Sequence, residues 1–270
     1  MYNSRMTHKL LALDIDGTVV REHTNTPSKR VIDAIRRANK KINITLISAR
    51  AWKDQEIILN LLNLKDFYHV LENGTKVINP SGDLEYSKHI PAKEVQQIID
   101  VSADFFDDIG FCIDSRWMKE YENPEEEIVS TLSLISFSRG KADKISKLLK
   151  KLPEKYSVTV GVHWTNPKWA VTLISNKKAS KGLGLRYIQK KVKITKEETI
   201  AVGDGASDVP TMSYAGVKIA MGNAEPELKR IADYIAPPVS EDGLVEIINK
   251  FVVGKYPDTM WLENSLKGSI

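Results

Sequence analysis

The feature that most constrains the fold is an apolar run, residues 10–13 (LLAL), that leads directly into two carboxylates in residues 14–18 (DIDGT). Four apolar residues without a polar interruption are typical of a strand buried on both faces, as at the centre of a parallel sheet covered by helices. Asp14 then stands at the carboxyl end of that strand, where open α/β sheets bind ligands, and Gly17 lets the backbone turn. We therefore expect a doubly wound, mainly parallel α/β sheet with a functional site at Asp14 and Asp16.

A second strand is predicted over residues 42–47, after a helical pattern that begins near Thr26 and Pro27. It ends at Ser48, and because neighbouring parallel strands end at the same edge of a sheet, the Ser48 hydroxyl would lie beside Asp14, where it could donate to a phosphate oxygen. By itself, a serine at this place is more typical of a helix cap. Arg50, two residues later, could touch phosphate or form a surface ion pair.

Three later segments also carry polar groups at the ends of predicted elements. The dipeptide Asn73-Gly74 follows the third apolar strand and indicates a tight turn, which could also be a plain hairpin turn. Lys181 stands at the start of a helical pattern. Residues 203–208 (GDGASD) follow another buried strand, residues 199–202, and place two more aspartates at a strand end.

Taken in order, four of these segments resemble the motifs of the haloacid dehalogenase-like hydrolases. The DIDGT segment is similar to the first motif, Ser48 to the second, and the Ser-Lys-Gly around Lys181 to the third. The GDxxxD pattern of residues 203–208 is similar to the fourth, although Ser207 stands where many relatives carry Asn. The Asn73-Gly74 dipeptide resembles the Asn-Gly that follows the third core strand in one branch of this family. That branch has a large inserted α/β cap and includes Cof-type sugar phosphatases and archaeal phosphoglycolate phosphatases.

The resemblance implies a mechanism. Asp14 would be the nucleophile that forms an aspartyl phosphate, and Asp16 the acid and base. Mg²⁺ would bind Asp14, the main-chain carbonyl of Asp16, and Asp204, with Asp208 either a ligand or a support for the ligands. Ser48 and Lys181 would hold the transferring phosphate oxygens and offset their charge. The substrate-binding residues that the resemblance implies all have polar side chains: Ser48, Arg50, Asn73, Lys181 and Ser207.

The pattern changes over residues 83–175, which we expect to form an inserted α+β cap domain between the core parts 1–82 and 176–270. Helical spacing covers residues 92–106 and 141–152, and strand-like alternation covers 111–121, 132–137, 158–164 and 169–174. The cap would exclude water and read the leaving group. Candidate readers, each equally consistent with packing or surface roles, are Arg116, Trp117, Arg139, His163, Trp164 and Trp169.

Composition narrows the remaining classes of function. The chain has 270 residues, 42% hydrophobic and 27% charged, which fits one globular core with an inserted module. Its net charge of +4 comes with no nucleic-acid-binding motif, so no nucleic-acid partner is expected. Its single cysteine, Cys112, and the lack of a signal-like or membrane-spanning apolar segment predict a cytoplasmic protein that does not enter membranes.

Together these features predict a Mg²⁺-dependent phosphatase of a small phosphorylated metabolite, such as a sugar phosphate or phosphoglycolate. A phosphomannomutase-like phosphotransferase with the same nucleophile is the nearest alternative. A non-catalytic binder or a phospho-accepting domain resembling a response regulator is a second, although receivers are about half this length and lack the loop 203–208.

Overall fold

The computed structural model describes residues 8–21, 24–120, 128–152, 156–163 and 166–254. The strands, in chain order, are β1 (Leu10–Leu13), β2 (Asn43–Leu46), β3 (His69–Leu71), β4 (Lys76–Ile78), β5 (Leu84–Ser87), β6 (Asp108–Ile113), β7 (Arg116–Met118), β8 (Val129–Ser136), β9 (Tyr156–Val162), β10 (Ala170–Asn176), β11 (Thr199–Gly203), β12 (Val217–Ala220) and β13 (Tyr234–Ile235). The α-helices are α1 (Lys29–Ala38), α2 (Trp52–Leu62), α3 (Ala92–Ser102), α4 (Arg139–Leu149), α5 (Lys181–Val192), α6 (Val209–Met212), α7 (Pro226–Ile231) and α8 (Gly243–Ile247).

The first strand lies at the interior of a parallel five-stranded sheet of order β13-β12-β11-β1-β2. Its side chains alternate between two buried layers. Leu11 and Leu13 pack with α1, α2 and α8, whereas Leu10 and Ala12 pack with α5 and α7 on the opposite face. The doubly wound fold and the double burial of the LLAL run are therefore confirmed.

A second five-stranded sheet, of order β7-β6-β8-β10-β9, is antiparallel throughout. The helices α3 and α4 cover one of its faces through an apolar cluster that includes Val95, Ile145 and Phe111. This α+β unit is inserted in sequence between β5 and α5 of the core. We call it the cap, and we call the sheet face that α3 and α4 leave uncovered the cap face.

Several predicted elements differ in their bounds. Residues 111–121 do not form one strand, because Asp114 and Ser115 adopt φ angles of 46° and 60° and turn the chain between β6 and β7. Ser28, not Thr26, caps α1, since its hydroxyl accepts from the Val31 N–H at 3.2 Å. The strand β12 lies inside the sheet, between β11 and β13.

The three short strands β3, β4 and β5 form a separate antiparallel sheet that continues from the core. The turn 72–74 between β3 and β4 is left-handed at Glu72, Asn73 and Gly74. At Gly74 a Cβ would lie only 2.0 Å from the Ser180 carbonyl oxygen, so this glycine allows the turn to pack against the start of α5. No helix in the described part of the chain is long and apolar enough to cross a bilayer.

Candidate active site

Sheet register brings the predicted site residues to one edge. Leu13 pairs with Leu46 of β2 and with Val202 of β11, so the residues that follow these three strands emerge side by side. Asp14 N–H donates to the Val202 carbonyl at 3.0 Å, which fixes the end of β1 beside the loop that carries Asp204. The expected meeting of separate segments at the tip of β1 is therefore what the structure has.

The centre of the site is a buried ionic cluster. Lys181 Nζ lies 2.6 Å from Asp14 Oδ1 and 2.8 Å from Asp208 Oδ1, and all three side chains are almost fully buried. Lys181 is the first residue of α5, after the capping residue Ser180. A cation is unfavourable at the positive end of a helix dipole, so the two carboxylates offset both the dipole and the loss of water around the ammonium group.

The loop after β11 is organised by Asp208. Its Oδ2 accepts the main-chain N–H groups of Asp204 and Gly205, each at 3.0 Å. Asp204 is oriented by Asn223, whose amide nitrogen donates to Asp204 Oδ2 at 3.1 Å and to the Gly17 carbonyl at 2.9 Å. At Gly17, with φ 73°, a Cβ would lie 1.8 Å from Asp204 Oδ2, so only glycine lets this carboxylate approach.

Burial and charge shift the pKa values of the central pair. Burial and the nearby Asp208 carboxylate raise the pKa of Asp14, and Lys181 only partly opposes this shift. Burial alone would lower the pKa of Lys181, but the Asp14 and Asp208 charges outweigh it and raise that pKa. The cluster is thus a lysine held firmly as a cation beside carboxylates that repel each other.

The same residues fit a divalent cation. Asp14, Asp204 and Asp208 each offer a carboxylate oxygen, and these oxygens lie within 4.8 Å of one another. An all-oxygen donor set is the one that Mg²⁺ prefers. A bound divalent cation would also relieve the repulsion that raises the pKa of Asp14. The donor chemistry and the electrostatics of the cluster therefore both suit Mg²⁺.

Asp16 is held differently, by Arg50. The guanidinium donates from Nε to Asp16 Oδ2 at 2.9 Å and from Nη2 to Asp16 Oδ1 at 2.6 Å. Nη1 of Arg50 donates to Asn25 Oδ1 at 2.6 Å as well. Asp16 nevertheless keeps 45% of its side chain exposed, unlike the buried Asp14. Arg50 thus forms an ion pair with a site carboxylate, within the residues that line the cavity described next.

A cavity of about 650 Å³ lies between the sheet edge of the core and the cap face. The predicted site residues that line it are Asp14, Asp16, Ser48, Arg50, Lys181, Asp204 and Ser207. Ser48 Oγ accepts the Arg50 N–H at 3.0 Å, which leaves its own proton free to donate into the cavity. The capping-type contact and the expected donor role of Ser48 are therefore compatible.

Asn73 and most of the candidate cap readers are placed elsewhere. Asn73 is buried and does not line the cavity; its main-chain N–H donates to the Ser48 carbonyl at 3.0 Å, so it supports the Ser48 segment. Trp117 lines the cavity, whereas Arg116, Arg139, His163 and Trp169 do not. Trp169 stacks on Phe137 and contacts His163 edge-on. Trp164 lies outside the described residues.

Two polar residues near the site, Asn223 and Glu72, were not predicted from the sequence. Asn223 follows β12, so the rule that polar groups gather at strand ends could have found it. Glu72 is buried and joins the core to the cap: its carboxylate accepts from the Ser130 hydroxyl and pairs with Lys76 Nζ at 3.2 Å, and its carbonyl accepts from Thr131 Oγ1 at 3.1 Å. No local pattern marks such a long-range contact.

Comparisons with known proteins agree with this geometry. The model of the haloacid dehalogenase-like hydrolase family matches residues 11–132 and 115–248. Phosphoglycolate phosphatase of Metallosphaera sedula is 27% identical over 243 residues, covering 89% of this chain and 97% of that protein. The Bacillus subtilis 5-amino-6-(5-phospho-D-ribitylamino)uracil phosphatase YitU is 25% identical over 269 residues, covering 90% and 97%.

Among solved structures, the haloacid dehalogenase subclass IIB sugar phosphatase BT4131 superposes with a TM-score of 0.73 at 23% identity, over 90% of this chain and 98% of that one. At this identity the likeness concerns the fold, which includes the inserted cap. The family model spans both parts of the core and the cap, and the four motif segments converge on one site. The chain therefore belongs to the haloacid dehalogenase-like hydrolases.

Proposed function

We propose that the protein is a Mg²⁺-dependent phosphatase that hydrolyses the phosphate monoester of a small metabolite through an aspartyl phosphate. The observation that carries this proposal is the buried Asp14–Lys181–Asp208 cluster, with Asp204 within reach, beside the cavity that Asp14 and Lys181 line. The relatives named as phosphatases of phosphoglycolate and of a ribitylaminouracil phosphate support it, because they align over nearly their whole lengths.

In the first step, an oxygen of Asp14 attacks phosphorus, and the bond between phosphorus and the ester oxygen breaks. Asp16 gives a proton to the departing alkoxide. In the second step, Asp16 takes a proton from a water molecule that attacks the phosphorus of the aspartyl phosphate, which releases inorganic phosphate and restores Asp14. Ser48 and Lys181 donate to the transferring phosphate oxygens and offset their charge.

Asp16 has to change its contacts for this role. Both carboxylate oxygens of Asp16 accept hydrogen bonds from Arg50. A proton bound to one of these oxygens on the side that faces Arg50 would point at an Arg50 N–H, so that oxygen could no longer accept the hydrogen bond. At least one of the two bonds to Arg50 therefore breaks when Asp16 is protonated. The exposed position of Asp16 leaves room for that rotation toward the cavity.

Mg²⁺ would be held by Asp14, Asp204, the main-chain carbonyl of Asp16, and Asp208 either directly or through its support of the loop. When bound, the ion supplies positive charge that offsets the phosphate oxygens and orients the ester for in-line attack. The nucleophile is positioned by residues of this chain, since Lys181 holds Asp14 and the cap face lies across the cavity from it.

The experiment is phosphate release from a panel of metabolite monoesters, with and without Mg²⁺, together with an acid-quench assay for protein-bound phosphate. The phosphatase predicts catalytic release of inorganic phosphate, Mg²⁺ dependence and a hydroxylamine-sensitive phosphoprotein. Transfer to an added sugar without phosphate release would favour the phosphotransferase. Stable labelling or binding without turnover would favour the signalling or binding alternatives.

A further inference from the structure

The cap face that closes the cavity is mostly apolar, in contrast to the charged edge of the core. Two rows of side chains run across it, as strand register requires. The first row, from β6 to β9, is Gly110, Ser133, Leu173 and Thr159; the second, from β8 to β9, is Ile135, Val171 and Gly161. All seven residues line the cavity. Leu173, Ile135 and Val171 form its apolar centre.

Glycine at both ends of this face keeps it flat. A Cβ built on Gly110 or Gly161 would meet its nearest neighbours at 3.7 and 3.8 Å, which is ordinary contact. Packing therefore does not require glycine at either position. Glycine weakens a strand interior and often marks a place where a ligand approaches the backbone. The two glycines leave open a broad, shallow surface around the apolar centre.

Trp117 of β7 forms one side of the same space. Its register partner Cys112 lies on the same sheet face as Gly110, so Trp117 faces the cavity, and about two fifths of the residue is exposed although Trp is mostly buried on average. An indole ring beside a flat apolar surface is a suitable contact for another planar ring, since aromatic pairs add stabilisation beyond the area they bury. A two-carbon acid such as glycolate would leave most of a 650 Å³ cavity unfilled.

One buried polar side-chain atom on this face has no hydrogen-bond partner among the described residues. Ser133 is 3% exposed, its hydroxyl accepts and donates to nothing in the described structure, and the residue lines the cavity. A buried hydroxyl without a hydrogen bond is unfavourable, so such groups usually have a partner when the protein is in its working state. The Ser133 hydroxyl is thus placed to bind a ligand atom.

The charges on the cap side are few. Among the described cap residues that line the cavity, Lys119 alone is charged, and it pairs with Asp108. A polyhydroxylated sugar would bury many hydroxyl groups against Leu173, Ile135 and Val171, where they would lack partners. A ring with few polar atoms would bury mainly apolar surface there.

We propose that the leaving group is a planar ring with a hydrogen-bonding heteroatom, which lies flat on the cap face between the glycines, beside Trp117, with its heteroatom bonded to Ser133. This inference rests on the proposed phosphatase function and specifies its substrate class. Ser133 is a specificity residue for the leaving group, and the phosphate is handled by the core alone.

The experiment compares four esters of primary alcohols: pyridoxine 5′-phosphate (a ring with heteroatoms), benzyl phosphate (a ring without them), glucose 6-phosphate and 2-phosphoglycolate. The inference predicts a kcat/KM for pyridoxine 5′-phosphate at least tenfold above that for glucose 6-phosphate. Ser133→Ala should lower kcat/KM for pyridoxine 5′-phosphate about tenfold, mainly through KM, and should change kcat/KM for benzyl phosphate less than twofold. Gly161→Val should lower kcat/KM for both ring esters by a larger factor than for 2-phosphoglycolate.

Ser102→Ala is the matched control, because the Ser102 hydroxyl is also buried and unpartnered but belongs to α3, away from the cavity. Ser102→Ala should leave kcat/KM for all four esters unchanged. The inference is overturned if glucose 6-phosphate is preferred to both ring esters, or if Ser133→Ala behaves like Ser102→Ala, while phosphate release stands. If no ester releases phosphate with Mg²⁺ present, the proposed function fails and the inference fails with it.

Discussion

The two sides of the cavity are built on different physical principles. On the core side, Lys181 is a buried cation that contacts both the Asp14 and the Asp208 carboxylates. On the cap side, aliphatic side chains and glycines form a surface in which the buried Ser133 hydroxyl has no partner among the described residues. The difference favours the proposed division of labour, in which the core would treat every phosphate ester alike and the cap would distinguish one leaving group from another.

The largest expected effect comes from Asp14→Asn, which removes the nucleophile with little change in shape. We expect kcat to fall by at least about a thousandfold, as for other enzymes that lose a catalytic nucleophile. Because the core is proposed to act on the phosphate alone, the factor should be the same for ring, sugar and glycolate esters. The factor is measured as the rate of phosphate release from each ester by the parent protein and by Asp14→Asn, with the exposed Asp33→Asn as control.

A loss at Asp14→Asn that differed among the esters by more than about tenfold, a gap of about 1.4 kcal/mol in transition-state binding, would break the comparison. It would mean that the core side also reads the leaving group. Full activity of Asp14→Asn would remove the aspartyl phosphate from the mechanism altogether. Circular dichroism and thermal unfolding verify that the variant is folded.

Removal of the central cation is the next largest effect. Lys181→Met leaves Asp14 and Asp208 buried side by side without their ammonium partner, and breaking a buried ion pair in this way destabilises by about 3–5 kcal/mol. Urea unfolding in the absence of divalent ions measures the loss. Lys190→Met, an exposed position on the same helix, is the control and should change stability by less than about 0.5 kcal/mol.

Added Mg²⁺ sharpens this second prediction. If Asp14, Asp204 and Asp208 bind the ion, it should stabilise Lys181→Met by a larger amount than it stabilises the parent protein, since it replaces the missing positive charge. Equal stabilisation of both proteins would argue against an ion among these three carboxylates.

The same contrast explains what the sequence could predict. Asp14, Ser48, Lys181 and Asp204 were found because each follows a strand or opens a helix, and parallel strands must end at a common edge. The doubly wound core follows from the LLAL run, whose two faces are both buried. These are local patterns with a fixed consequence in three dimensions.

The cap could be predicted only in outline. Alternation identified its strands, but whether Ser133 or Leu134 faces the cavity depends on which face α3 and α4 cover, and that choice is made by tertiary packing. The turn at Asp114 and Ser115 was missed because neither residue is a glycine, although both adopt positive φ. Glu72 was missed because its partner Ser130 lies 58 residues away.

A third prediction tests the core side through pH. His69 in β3 is fully buried: its Nδ1 accepts the Leu46 N–H at 3.1 Å, and its Nε2 donates to the Leu64 carbonyl at 2.6 Å. Burial lowers the pKa of His69 to about 4 from 6.5, although the bond to Leu64 opposes this. Protonation at Nδ1 would also place one donor against another.

Because the folded pKa of His69 is depressed, the unfolded state binds more protons between about pH 6.5 and pH 4. The stability that neutral His69 provides is therefore intact above about pH 6.5 and is lost as the pH falls to about 4, by about 3 kcal/mol in total. Urea unfolding of the parent and of His69→Gln at pH 7 and pH 4.5 should show a smaller loss in the variant. Equal losses would rule His69 out, and the exposed His89→Gln serves as control.

The smallest expected effect lies where the two sides meet, at the contact between Glu72 of the core and Ser130 of the cap. Glu72→Gln keeps the shape but removes the charge that Lys76 and the Ser130 hydroxyl share, and we expect a loss of about 1–3 kcal/mol in unfolding free energy. Glu197→Gln, at an exposed position, is the matched control.

A double-mutant cycle of Glu72→Gln with Ser130→Ala isolates the contact, because coupled neighbours give a non-additive term of at least about 0.5 kcal/mol. Additive losses would mean that the cap is attached to the core without help from this bond. A non-additive loss with kcat/KM reduced for every ester would mean that the Glu72 turn, which also supports the Ser48 segment, holds the cap in register with the phosphate site.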